Sequence, residues 1–107
     1  MNNKYCAIPT RADGILFGSK AEARRYQELK LMQAAGEIAR LECHPRWRLV
    51  VNGVEVGSYI ADFMYWIGDR QVVEDVKGGR ATMTPVYRLK KKLMLVLYGI
   101  EIVEVQA

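Results

Sequence analysis

The alternation of apolar and polar positions divides the chain into a small set of elements. Ser19 opens a helix: in "SKAE" Ser19 has the N-cap position and Glu22 the N3 position of a capping box, and the pattern runs through Ala35 to Gly36, a C′ glycine. Tyr26, Leu29 and Met32 form its apolar stripe, and helical spacing puts Glu22 on the same stripe. Residues 1–18 read as an arm and loop punctuated by Pro9, Gly14 and Gly18, with residues 1–12 as the flexible arm. A strand is expected over Trp47 to Val51, closed by Asn52-Gly53. Val54 to Gly57 reads either as a short strand or as the rest of a loop. A long strand follows from Tyr59 to Ile67, then a Gly68-Asp69 turn and a strand from Gln71 to Lys77. Pro85 starts a second helix that ends at Gly99, with Val86, Leu89, Leu93, Val96 and Leu97 as its core-facing stripe. Ile100 to Val105 is the last strand. The order is αβββαβ, an α/β chain.

Register gives these elements chemical content. A two-residue turn at Gly68-Asp69 pairs Ile67 with Arg70 and, further along, sets Asp62 opposite Asp75. Cross-strand partners share a face, with Cβ atoms roughly 5 Å apart. Lys77 shares that face and Glu74 takes the other; a three-residue loop would bring Glu74 to Asp62 instead. Opposed carboxylates destabilise a sheet unless something neutralises them. A solvated sheet edge or Lys77 alone would serve. So would a hard divalent cation, Mg²⁺ or Mn²⁺, held by carboxylate oxygens. Such an ion activates water and stabilises charge on a phosphoryl oxygen, with Lys77 orienting the water or neutralising that charge. Glu22 could supply a third carboxylate, although a capping box alone accounts for a glutamate at N3.

Composition narrows the setting. The chain has 107 residues, 50% apolar and 26% charged, which suits one soluble domain over residues 1–107 with one modest core. No apolar run approaches the length of about eighteen residues needed to cross a membrane, and "MNNKYCAIPTR" lacks the apolar region of a signal peptide. A cytoplasmic protein without a membrane partner is the expectation. Cys6 and Cys43 are few and far apart, so two free thiols are expected; Cys43-His44 offers two ligands, too few for zinc. The net charge of +4 permits a polyanionic partner. Arg80, Arg88, Lys91 and Lys92 form a candidate DNA-backbone track, with a solvated helix face as the other reading. Lys90 either reaches toward the site or a phosphate, or snorkels at the surface. Tyr65 and Trp66 could stack on bases, but strand aromatics favour the core. His44 reads as structural rather than as a general base. "GILFGSK" lacks the glycine spacing of a phosphate-binding P-loop. "KGGRATMTP" is either a loop over the site or a plain connection.

"SKAE" on an opening helix, "ADF" in a strand and "DVK" in the next resemble the PD-(D/E)XK nuclease superfamily, with Ala61 in the place of proline. The match extends to a small phage-encoded family within it, catalogued as a domain of unknown function, through "DGILFGSKAEARRYQELKLMQAAGEIARL", "YIADFMYW", "VVEDVKGG" and "YRLKKKL", over about residues 13 to 105. The resemblance implies a restriction-endonuclease-like αβββαβ core, a mixed sheet flanked by two helices, and a Mg²⁺-dependent phosphodiesterase acting on DNA. It implies Asp62 and Asp75 as metal ligands, Lys77 as the catalytic lysine, the Val76 backbone carbonyl as a further ligand, and Glu22 as the first-helix acid for metal or water positioning. His44 stands where glutamine is expected before the Pro-x-aromatic motif. By analogy with relatives, a homodimer acting on branched or nicked DNA, as a Holliday-junction resolvase or nicking enzyme, is the specific expectation. The alternatives are a non-catalytic DNA-binding accessory module with this fold and a structural or protein-interaction domain.

Overall fold

The computed structural model describes residues 8–78 and 83–107. The chain runs β1 (Thr10–Ala12), β2 (Ile15–Phe17), α1 (Lys20–Ala34), β3 (Ala39–Cys43), β4 (Arg46–Val51), β5 (Val54–Ile60), β6 (Phe63–Ile67), β7 (Arg70–Lys77), α2 (Pro85–Tyr98) and β8 (Val103–Gln106). A four-stranded mixed sheet has the order β3-β6-β7-β8. The first two pairings are antiparallel, whereas β8 runs parallel to β7. A parallel neighbour needs a long crossover, and α2 supplies it. With the hairpins β1–β2 and β4–β5 set aside, the trace is α1-β3-β6-β7-α2-β8, the αβββαβ order of a mixed α/β core.

Several elements differ from the pattern reading. The first strand of the central sheet is Ala39–Cys43, not Trp47–Val51; the latter belongs to β4, paired only with β5. "ARLEC" hides its role because a register shift and a left-handed Arg40 (φ 57°) interrupt the two-residue period. The expected arm contains the β1–β2 hairpin, turned by Asp13-Gly14 with both φ angles positive, the Asp-Gly signature of a type I′ turn. The expected strand from Tyr59 to Ile67 is two strands, broken at Ala61 and Asp62. The last strand begins at Val103, not Ile100.

Helix α1 is capped as its sequence requires: Ser19 Oγ accepts from the Glu22 N–H at 3.1 Å. The chain leaves it through Ala35 and a left-handed Gly36 (φ 80°). Ala23, Tyr26 and Leu29 bury one face against Phe17, Phe63, Tyr65 and Val72, filling one side of the sheet. The other side is Leu49, Tyr59, Ala61, Val73, Met94 and Ile102. Val72 and Val73 thus point into different cores, so Glu74 belongs to the α1 side and Asp75 and Lys77 to the α2 side.

Helix α2 is capped by Thr84, whose hydroxyl accepts from the Tyr87 N–H, and ends at a left-handed Gly99. Its inward face is turned from the expected stripe. Met94 is fully buried, with Tyr87, Leu93 and Leu97 packed around it, whereas Val86, Leu89 and Val96 are exposed. Apolar residues cover two adjacent arcs of this helix, so periodicity alone cannot say which arc faces the core.

Candidate active site

The break between β5 and β6 makes the site. The β6–β7 ladder closes at Phe63↔Glu74 and is turned by Gly68-Asp69 with Ile67 opposite Arg70. Just past the last pair, Asp62 leaves the strand and is fastened by backbone and side chain. Its carbonyl accepts from the His44 N–H at 3.0 Å, and its N–H donates to the Glu74 carbonyl at 3.1 Å and to Asp75 Oδ1 at 3.0 Å. Its Oδ2 accepts from the Val76 N–H at 2.7 Å. Asp62 and Asp75 therefore meet, held by side-chain-to-backbone bonds rather than by the continuous strand the pattern suggested. Val76 directs both N–H and C=O toward the β6 side, beyond the end of β6, because strand residues alternate sides and its N–H already reaches Asp62.

Asp75 is buried, and its Oδ2 accepts from the Tyr59 hydroxyl. Lys77, also buried, places Nζ 4.0 Å from that same oxygen and 3.3 Å from the centroid of the Tyr87 ring. The Tyr87 hydroxyl donates to Glu104 Oε2 at 2.7 Å, and Lys91 Nζ lies 3.1 Å from the same oxygen. Glu104 is the β8 residue in register with Asp75. Glu22 reaches the group from the first turn of α1. Its Oε2 lies 3.2 Å from Ser19 Oγ, which donates to it, and its charge acts directly on Asp62 and Asp75. Gly18 makes room for it: a Cβ there would stand 3.1 Å from Glu22 Oε2.

Charge is what this arrangement concentrates. Burial, then the Glu22 carboxylate, push the Asp62 carboxyl up to about 7, against the pull of the Val76 N–H and Lys77. Burial pushes Asp75 up to about 6, although Lys77 and the Asp62 N–H favour its charged form. A buried Asp75 and a half-buried Asp62 shifted this far upward, with Lys77 beside Asp75, are short of positive charge at neutral pH. Hard oxygen donors in that condition fit Mg²⁺ or Mn²⁺, which bind one or two carboxylates and leave positions for water and phosphate. Asp62 and Asp75 are the side chains that could hold such an ion, with the Val76 carbonyl on the same edge and Glu22 close to Asp62. Among the described residues, no three acidic, histidine or cysteine side chains stand close enough to enclose an ion by themselves.

A family model described as a protein of unknown function, DUF1064, matches residues 2–103. The chain belongs to the DUF1064 family. No curated protein and no solved structure matches it. In this DUF1064 chain the matched span includes Glu22, Asp62, Asp75 and Lys77.

Glu74 lies on the opposite face of the sheet, as register requires, but it is no idle neighbour. Both its oxygens are taken by Arg25 of α1, Nε at 2.9 Å and Nη2 at 2.7 Å, and Tyr65 donates to it as well. Its carboxylate holds the Arg25 guanidinium far above its ordinary range. The acid that register sets apart from Asp62 is therefore the buried brace between α1 and β7. Its mutation would disturb folding before it reported on chemistry.

The expected basic track is divided by α2. Arg88, Lys91 and Lys92 line a cavity of about 430 Å³ with Met83, Leu95 and Glu101, while Lys90 lies across the helix in a groove of about 330 Å³ with Tyr59, Ile60 and Val86. Lys91 is engaged by Glu104; Arg80 lies outside the described residues. Tyr65 is a core residue, and Trp66 receives the Arg40 guanidinium at 4.7 Å. His44 contributes through its backbone: its left-handed conformation (φ 55°) accompanies the bond to the Asp62 carbonyl, and its ring stands near Phe17. Tyr59, Tyr87 and Glu104 escaped the sequence reading. Glu104 alone left a signal, a carboxylate inside the apolar "EIVEV".

Proposed function

We propose that this chain is a metal-dependent endodeoxyribonuclease of the PD-(D/E)XK type. The observation that carries the reading is the meeting of a half-buried Asp62 with buried Asp75 and Lys77 on one edge, where the carboxylates lack full compensation. An arrangement built for stability alone would not gather acids there, because unpaired buried charge costs the fold. A bound Mg²⁺ or Mn²⁺ would neutralise the acids and acidify a water molecule. Asp62, Asp75 and the Val76 carbonyl would hold it, with Glu22 orienting the attacking water. The water oxygen forms the new bond to phosphorus, the P–O bond to the leaving sugar breaks, and solvent returns a proton to the alkoxide. Lys77 would orient that water or offset the charge growing on the phosphoryl oxygen. Tyr59 holds the Asp75 carboxylate in place, Lys90 approaches the phosphate chain from the adjoining groove, and Arg88 and Lys92 meet it on the other side of α2.

Two active sites suit a duplex or a four-way junction, so a homodimer belongs to the same proposal. The exposed stripe of Val86, Leu89 and Val96 supports it, since contiguous exposed apolar surface on a small protein marks an interface. Plasmid and four-way-junction DNA incubated with Mg²⁺ or Mn²⁺ tests the reaction. Cleavage is expected from the wild type and from the exposed control Glu37→Ala, and not from Asp75→Ala or Lys77→Ala. Binding without cutting would favour the accessory module, and full activity in Asp62→Ala would overturn the site.

A further inference from the structure

Resting on the nuclease reading, we propose that Tyr87 is the positioning residue for Lys77, using its ring face as the seat of the ammonium group. A lysine on β7 has four rotatable side-chain bonds, and Asp75 at 4.0 Å is too distant for a hydrogen bond that would fix them. What Lys77 does touch is the Tyr87 ring, at 3.3 Å from Nζ to the centroid, well inside the range in which an aromatic face attracts a cation. Lys77 is buried and Tyr87 half-buried, and this partial shelter from water strengthens the attraction.

The ring is itself held from three directions. Its hydroxyl donates to Glu104, whose other partner Lys91 comes from the next turn of α2. The Tyr87 backbone N–H donates to Thr84 Oγ1, and the ring packs near that of Tyr59, the residue that donates to Asp75. Tyr59 and Tyr87 thus act as a pair, one ordering the carboxylate and the other ordering the ammonium beside it. The seat needs an aromatic face and not a hydroxyl. Phenylalanine should replace tyrosine here, and an aliphatic side chain of similar volume should not.

The test compares Tyr87→Phe with Tyr87→Met by two readouts. In labelled protein, the Lys77 side-chain methylene resonances, assigned by their loss in Lys77→Arg, should be displaced upfield by the ring in wild type and Tyr87→Phe. They should return to ordinary lysine positions in Tyr87→Met. Cleavage by Tyr87→Phe should stay within about threefold of wild type, while Tyr87→Met should lose about tenfold in kcat at little changed KM, the scale of one cation–π contact. Wild-type resonances without ring displacement would overturn the inference. So would equal cleavage by Tyr87→Met, or a loss in Tyr87→Phe as large as in Tyr87→Met. A wild type that cuts no DNA refutes the nuclease reading, while the resonances still decide whether the ring seats Lys77.

Discussion

Replacing Asp62 by asparagine should make the protein more stable. Asparagine keeps an acceptor for the Val76 N–H and turns an amide toward Glu22, where the wild type sets one carboxylate against another. Asp62 is raised from an ordinary 3.8 to about 7. A raised carboxyl favours the fold while protonated, so its contribution is complete below about pH 4, is lost as pH climbs to about 7, and stays lost above. Each tenfold change in proton affinity is about 1.4 kcal/mol, so the loss approaches about 4 kcal/mol, and about 2 kcal/mol once side chains and water relax around the charge. For a domain of this size, about 2 kcal/mol corresponds to roughly 10 °C in Tm. Thermal melts of the two proteins in chelator should nearly coincide at pH 4, separate up to pH 7 and run parallel beyond it, with Asp62→Asn higher. Mg²⁺ at pH 8 should raise the wild-type Tm and leave the variant's unchanged. A gap that does not depend on pH, or a variant that melts below wild type at pH 8, would refute the electrostatic account of the site.

Glu74→Ala strands a half-buried Arg25 and should cost about 3–5 kcal/mol in chemical denaturation, with Glu74→Gln recovering part of it; a cost below about 1 kcal/mol would show that the brace is idle. Gly18→Ala presses on the Glu22 carboxylate and should weaken Mg²⁺ binding several-fold by calorimetry while shifting the Tm little. Leu89→Glu should convert a dimer to a monomer in sedimentation equilibrium. Because Arg88, Lys90 and Lys92 flank the apolar stripe, salt should strengthen the wild-type association by screening like charges. Weaker association in high salt would point to a different interface.

What the sequence made legible was what depends on short range. The caps at Ser19 and Gly99, the Gly68-Asp69 turn and the β7 register follow from a few neighbouring residues each, and they put Asp75 and Lys77 on one face and Glu74 on the other. The strand break at Ala61 and Asp62 did not show, because "YIADFMYW" reads as continuous strand and only tertiary bonds from His44, Glu74 and Asp75 hold the bend. β3 was hidden by its irregular register, and the rotation of α2 by its doubled apolar surface. Tyr59, Tyr87 and Glu104 join the site from three elements far apart in the chain, a meeting that spacing cannot report. The Arg25–Glu74 brace was missed for the same reason, being a contact across 49 positions.

The two hairpin turns of the larger strands differ in what they can accept. Asn52-Gly53 joins β4 and β5, a pair that already absorbs a register irregularity, and the turn is exposed. A fluorophore or affinity tag inserted there should be carried without harm. Gly68-Asp69 has no such freedom. A single inserted residue that slid β7 by one place would present Glu74 to the site and Asp75 to Arg25, each acid with the wrong reach for its new partner. Labels for this protein belong at the first turn, and a one-codon change at the second should cost fold and chemistry together.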